Sequence, residues 1–301
     1  MTATRLNMRF PGGKVKALTL SYDDQSEQDI RLIDIMNENG IRGTFNISTG
    51  LYSPEGKTFK EGSVCRRMTR ERAIELYKDS PHEVAVHGYS HPYLTQMPEA
   101  SVTREVFADR MNLEADFETD VRGMAYPFGD HSYSDGVAEV LRATGIVYSR
   151  MTTATRSFRL PADFLRWYPT CKHTDTRLME LAEKFVNDKT NKEPMLFYLW
   201  GHSFEFEQDD NWQVIEKFCE YMGNREDIWY ATNVEIYDYV QAYRRLIWTA
   251  DMRSRWQVNL QALMQRRISL QRSLSLILLS LSVLQAQKRL PRHMKETCLA
   301  L

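Results

Sequence analysis

Two carboxylates stand side by side at the end of an apolar run: Asp23 and Asp24 in "LTLSYDDQSEQ", Leu18 to Gln28. Adjacent acids disfavour each other's charge, so a positive partner is expected between or beside them. Two histidines lie four residues apart, His87 and His91 in "VAVHGYSHPYL", and His202 follows another apolar run in "LFYLWGHSFEF". A segment rich in small and polar groups, "YPFGDHS", follows a fourth run. Two imidazoles and one carboxylate make an open site for a divalent metal with room for water. On a helical turn, spacing of four places both imidazoles on one face. Each part alone is weak. An Asp-Asp pair is usually a turn or a cap, and a lone HxxxH is more often chance than ligand. Here Ser26 is the better cap for the following helix, which leaves the two acids without that job.

These residues need a frame that brings them together. Short β-type runs recur at intervals of roughly 20–40 residues: 15–22, 42–48, 83–89, 122–128, 145–150, 164–170, 195–201 and 227–232. Between most of them lie amphipathic segments. "SEQDIRLIDIMNENG" has apolar residues at 30, 32, 33, 35 and 36, and Gly40 past its end. "TNVEIYDYVQAYRRL" opens with Thr232 and Glu235 at capping-box spacing. Strand and helix in alternation predict an α/β fold with parallel strands. Seven or eight units in about 250 residues fit a distorted (β/α) barrel, whose active site lies at the C-terminal rim of the strands. Every reactive group named above falls at such a strand end.

The bulk properties set the boundaries. The chain has 301 residues, 43% of them apolar, and a net charge of −1, which gives no case for a nucleic-acid partner. The balance is uneven: nine Lys/Arg against the single acid Glu296 lie between Arg253 and Leu301, so the first 252 residues carry a net −9. The expected domains are a barrel over 1–248 and a basic Leu/Ser/Gln-rich tail over 249–301. Three readings compete for the tail: a basic amphipathic helix for a membrane surface or partner, a weakly ordered appendage, and a non-native segment following loss of reading frame near Arg253, the last placed slightly ahead. Its most apolar run, Ser273 to Leu284, has 12 residues, too few to span a bilayer, so no transmembrane segment is expected. Cys65, Cys171, Cys219 and Cys298 show no zinc-ligand spacing and read as reduced, mostly buried thiols. With no apolar leader in the first residues, a cytoplasmic location is the expectation.

The order of these motifs resembles the polysaccharide deacetylases, the family 4 carbohydrate esterases built on the nodulation-protein-B homology domain. "SYDDQ" is similar to their first motif at both acids, "HGYSH" fits their H-x-x-[ST]-H, "YPFG" is similar to their third, and "LWGH" supplies the late histidine. The likeness runs over about residues 10–245. It implies that Asp24, His87 and His91 bind a divalent metal, commonly zinc. It also implies that Asp23 is the general base, that His202 is the general acid, and that the Phe128 amide stabilises the oxyanion. Arg166 and Trp167 lie in a region like the fourth motif, and Trp200 flanks His202 as a sugar platform or, about equally, as core. The family's Arg two residues before the third-motif Pro, which orients the base, is Ala125 here; Arg122 or Arg166 is the expected substitute. The fourth-motif Asp is not evident. His173, Glu205 and Glu207 read as surface-loop residues; Asp130 and His131 read against lining the cleft. The implied function is hydrolysis of acetyl groups from an N-acetylated or O-acetylated sugar or polysaccharide by metal-activated water. Hydrolysis of a small non-peptide amide, or a catalytically degenerate carbohydrate-binding protein, are the alternatives. A glycosidase using Asp23 would leave the histidines unexplained.

Overall fold

The computed structural model of the chain describes residues 7–190, 192–250 and 256–259. Its centre is β1 (Lys16–Asp23), buried along all eight residues. A strand covered on both faces is expected to be largely apolar; "KALTLSYD" supplies Ala17, Leu18, Leu20 and Tyr22, and its inner hydroxyls are satisfied, Thr19 donating to Asn233 Oδ1 (2.9 Å) and Ser21 accepting from Asn46 Nδ2 (2.8 Å). At the lower end, Lys16 is buried and donates to the Val186 carbonyl (2.6 Å) and to Asp227 (3.1 Å). At the upper end stand Asp23 and Asp24.

The remaining strands are β2 (Gly43–Ile47), β3 (Glu83–Val86), β4 (Gly123–Ala125), β5 (Tyr148–Arg150), β6 (Cys171–Lys172), β7 (Met195–Gly201) and β8 (Ile228–Tyr230). All pair in parallel, in the order β5-β4-β3-β2-β1-β7-β6, with β8 against the lower half of β1. The helices between them are α1 (Asp29–Glu38), α2 (Arg70–Tyr77), α3 (Glu99–Phe117), α4 (Asp135–Ala143), α5 (Leu178–Asn187), α6 (Phe204–Gln208), α7 (Gln213–Met222) and α8 (Asn233–Arg244). The fold is the distorted (β/α) barrel expected from the alternation.

Where the expected strand 164–170 should lie, the chain makes a 3-10 turn over Phe164–Arg166 and then bridges across to β5. The Trp167 amide donates to Ser149 O (3.1 Å) and its carbonyl accepts from Met151 N (2.9 Å). The next residues pair with β7 through Thr170 N to Tyr198 O (2.8 Å). One irregular segment therefore closes the gap between β5 and β7. Trp167 itself is buried among Tyr148, Phe164 and Tyr198, so it serves the core and not a pocket.

The cap of α1 also differs from expectation. The helix starts at Asp29, and the Ser26 hydroxyl pairs with that of Ser203 (2.8 Å), which follows the neighbouring strand β7. A buried hydroxyl needs a partner, and the late-strand loop supplies one before the helix does. The capping box at Thr232 and Glu235 is formed as read. Among the described residues no helix is long and apolar enough to cross a membrane. Ile247–Ala250 and Trp256–Asn259 pair as antiparallel strands β9 and β10; the rest of the expected tail, with Cys298, lies outside the described residues.

Candidate active site

All the reactive groups sit at the carboxyl ends of the strands. β1 delivers Asp23 and Asp24, and the register sets Asn46 of β2 directly beside Asp23. Asn46 Nδ2 donates to Asp23 Oδ1 (2.8 Å). The other Asp23 oxygen accepts a charged hydrogen bond from Arg150 Nη2. Arg150 ends β5 and is fully buried, with its guanidinium 4.4 Å over the Trp200 ring. Its register partner on β4 is Ala125. The arginine missing at position 125 is thus supplied from the next strand at the same height. Arg122 and Arg166 do not take that role. Arg122 pairs with Asp238 of α8 (2.7 Å), and Arg166 is exposed beside Tyr168 and Tyr133.

Burial pushes the Asp23 carboxyl up, but Arg150 above all, then His87 and His202, outweigh it and hold the group below its ordinary value. Asp24 is treated alike: burial opposes its charge, His87 and the Arg67 guanidinium prevail, and it falls to about 2. Arg67 Nη2 donates to Asp24 Oδ1 (2.7 Å). Each of the two adjacent acids therefore has a guanidinium of its own, which removes the like-charge problem.

His87 follows β3. Its Nδ1 lies 2.9 Å from the Ala125 carbonyl, which only accepts, so in the neutral ring Nδ1 carries the proton and Nε2 the lone pair. Nε2 is 3.8 Å from Asp23 Oδ2. His91 joins it through a tight turn and not through a helical face: Gly88 has φ 77° and His91 itself φ 53°. The rings meet edge to face with centroids 4.7 Å apart. Burial lowers His91 to about 4, leaving a neutral imidazole. Ligand atoms of Asp24, His87 and His91 all lie within 4.8 Å of one another. One carboxylate and two imidazoles, one of them turned with Nδ1 to a carbonyl, fit a zinc-type divalent ion.

His202 follows β7 on the opposite side. Its Nε2 is 3.8 Å from Asp23 Oδ2 and 4.0 Å from Asp24 Oδ2. Its Nδ1 lies 3.2 Å from Glu205 Oε1, a charge contact poorly aligned for a hydrogen bond. Burial opposes charging of His202, but Glu205 and the two aspartates outweigh it and raise its pKa. Glu205, read from sequence as a solvated loop residue, instead gathers three cationic or imidazole groups: His202, Lys172 Nζ (2.7 Å) and His173 Nε2 (3.0 Å). His173, also read as a surface residue, is buried, stacked on Tyr22 and against Phe206. Its approach requires Gly201, where a Cβ would fall 2.0 Å from His173 Nδ1. Glu207 stays on the surface, pairing with Arg66 (2.7 Å) and accepting from Gln28.

Trp200 is nearly buried beneath Arg150 and Lys172, a support for charges more than an open platform. Phe128 is exposed, has φ 57° and stacks on Tyr93 with centroids 3.8 Å apart. Its amide donates to no acceptor among the described residues, and its ring meets that of His91 at 4.6 Å. Asp130 turns away from the cleft and accepts from Thr152 and Thr153, while His131 is exposed.

Residues 11–149 match the family model described as polysaccharide deacetylase. Over that stretch the chain is similar to the polysaccharide deacetylases. A candidate polysaccharide deacetylase from Mycobacterium smegmatis shares its fold at 16% identity and a TM-score of 0.57, covering 80% of this chain and 95% of the other. The Puue allantoinase is similar at 13% identity and a TM-score of 0.56, with the same coverages. No curated protein sequence matches the chain. From the motif pattern of those proteins the chain departs at Ala125 and in lacking the fourth-motif Asp. Arg150 lies against Asp23 and Glu205 against His202. Neither could be found from motif order. The signal for Arg150 is an arginine at the carboxyl end of a short β-type run.

Proposed function

We propose that the chain is a member of the polysaccharide deacetylase family and an active metal-dependent hydrolase that releases acetyl groups from an N-acetylated or O-acetylated sugar or polysaccharide. The observation that carries the reading is the convergence of Asp23, Asp24, His87, His91 and His202 from three strand ends, with Asp23 fixed by Arg150. Asp24, His87 and His91 would hold the divalent ion, zinc by the nature of the donors. When bound, such an ion supplies Lewis acidity at the acyl oxygen and at water, which a base as weak as Asp23 requires.

The chain's own residues divide the remaining work. Arg150 and Asn46 hold Asp23 ionised and aimed, so that it can take a proton from the attacking water. The Phe128 amide, without an acceptor among the described residues, would donate toward the oxygen that becomes negative. His202, its pKa raised with Glu205 behind Nδ1, presents Nε2 as the donor to the departing amine or alcohol. Ala125 motivates the reading of a degenerate, merely binding site, and the contact of Arg150 with Asp23 supports the catalytic one.

The test is acetate release from N-acetylglucosamine oligomers before and after exhaustive chelation, with zinc added back. Release that depends on zinc and disappears in His87→Ala is expected. Activity retained by His87→Ala after chelation would overturn the mechanism. The barrel shared with the allantoinase supports a second reading, hydrolysis of a small cyclic amide; hydantoin turnover without acetate release from any sugar would favour it.

A further inference from the structure

The two oxygens of the Glu205 carboxylate are held unequally. Oε1 is shared by Lys172 Nζ (2.7 Å) and His202 Nδ1 (3.2 Å), whereas Oε2 faces His173 Nε2 alone (3.0 Å). Lys172 makes the shorter of the two Oε1 contacts, and its side chain is 29% exposed. A charged hydrogen bond of that kind would draw a carboxylate with nothing on Oε2 toward the ammonium and away from His202. The contact on Oε2 therefore decides which way Glu205 faces.

His173 is placed to make that contact and no other. It follows β6, and its amide donates to Trp200 O (2.9 Å), which ties it to β7 just before His202. Its ring packs on Tyr22, with centroids 5.7 Å apart, and on Phe206, at 4.2 Å. Its Nδ1 occupies the place where any Cβ at position 201 would fall, so Gly201 is what lets the ring lie there. Burial outweighs Glu205 and lowers the pKa of His173, so the ring is neutral and carries one N–H. Burial also opposes the charge on Glu205, but His173, His202 and Lys172 prevail, and the ionised carboxylate can only accept. The single ring proton therefore belongs on Nε2. The approach is bent, and neither His173 Nε2 nor Glu205 Oε2 has another partner among the described residues. Leaving either alone in the interior would be costly.

We propose that His173 is a positioning residue: its Nε2–H fixes Glu205 so that Oε1 stays behind His202 and aims that imidazole at the leaving group. This rests on the hydrolase reading. Proton donation matters when an amine departs and little when a nitrophenolate does, which gives a readout that general damage would not produce. Zinc-loaded wild type and variants are compared on N-acetylglucosamine oligomers and on 4-nitrophenyl acetate. His173→Phe, which keeps a flat ring without a donor, should lower kcat on the oligomers about fivefold at unchanged KM, and leave the nitrophenyl ester nearly unaffected. His173→Gln, whose side-chain amide reaches about as far as Nε2, should recover most of the loss. Equal losses on both substrates in His173→Phe would make His173 merely structural and overturn the proposal. So would an undiminished rate on the oligomers, or His173→Gln no better than His173→Phe. Heteronuclear NMR of the ring nitrogens in metal-free protein needs no turnover. The histidine signal missing from either variant should come from a neutral ring protonated at Nε2, and a proton on Nδ1 overturns the proposal whatever the kinetics. Wild type that releases acetate from neither substrate would overturn the hydrolase reading, while the tautomer still decides whether His173 holds Glu205.

Discussion

On one side of the cleft, Asp24, His87 and His91 come from two short segments, the ends of β1 and β3. On the other side, the groups that tune Asp23 and His202 come from four: Asn46 of β2, Arg150 of β5, Lys172 of β6 and Glu205 of α6. The difference follows from what each side must do. Ligands must converge within a few ångströms on one point, so they come readily from a single turn, and fixed residue types recur at fixed spacing. Charge support acts through space in a low-dielectric interior, so a group on an adjacent strand serves as well as one in the motif. The register Ala125↔Arg150 is an instance of such a transfer.

The largest effect should come from breaking the convergent side. His87→Ala, Asp24→Ala or His91→Ala should each abolish both activity and bound metal, read by elemental analysis of the purified protein. Full metal content with activity retained in any of the three would remove that residue from the ligand set. On the distributed side, Arg150→Ala should lower kcat by about 10²-fold while metal content stays near wild type. The comparison predicts more: Ala125→Arg combined with Arg150→Ala should recover much of that loss, because the two positions are neighbours in register. A double variant no better than Arg150→Ala would mean that strand position matters beyond charge placement.

The same contrast explains what could be read beforehand. The barrel was legible because strand and helix alternate at a regular interval, and the acids and histidines because they occupy strand ends. Trp167 was misread because an aromatic beside an arginine looks the same in a pocket lining and in a core. The turn joining His87 to His91 was read as helical because spacing of four does not reveal the left-handed residues at Gly88 and His91. Arg150 and Glu205 were not legible in these roles because their partners, Asp23 and His202, are assigned by cross-strand register and by the turn into α6, which no local spacing records. Glu205 lies in "FEFEQDD", a composition that surface loops share.

A smaller effect should follow from Glu205→Gln, which removes the charge behind His202 but keeps its shape. His202 has its pKa raised, with Glu205 the foremost cause acting in that direction. Losing it lets His202 give up its proton at lower pH. The alkaline limb of the kcat/KM profile should then move to lower pH, with a fall of about tenfold at the wild-type optimum. Glu205→Asp should restore part of the limb. A profile that keeps its alkaline limb in Glu205→Gln would show that the aspartates alone maintain the charge on His202.

The smallest expected effect concerns stability and tests whether the distributed side extends behind the site. Asp29 is fully buried at the start of α1, where it accepts hydrogen bonds from Tyr77 Oη (2.6 Å) and Ser203 Oγ. Ser203 in turn meets Ser26, so this carboxyl backs both the first acidic turn and the His202 turn. Burial raises its pKa to about 7, against the hydrogen bonds that oppose the shift. An acid raised on folding holds its proton more tightly in the folded state. Its contribution to stability is complete below the ordinary carboxylate value and is lost as pH rises toward 7. Asp23 and Glu205, both lowered, act in the opposite sense and lose their contribution as pH falls through the acid range. Wild type should therefore lose stability between about pH 4 and 7 at this position. Asp29→Asn should flatten that slope by a few degrees of melting temperature. Its amide can still be satisfied, since one of the two hydroxyls can turn and accept. An unchanged slope in Asp29→Asn would mean that Asp29 keeps its charge in the folded protein, and that the hydroxyls of Ser203 and Tyr77 suffice to hold it.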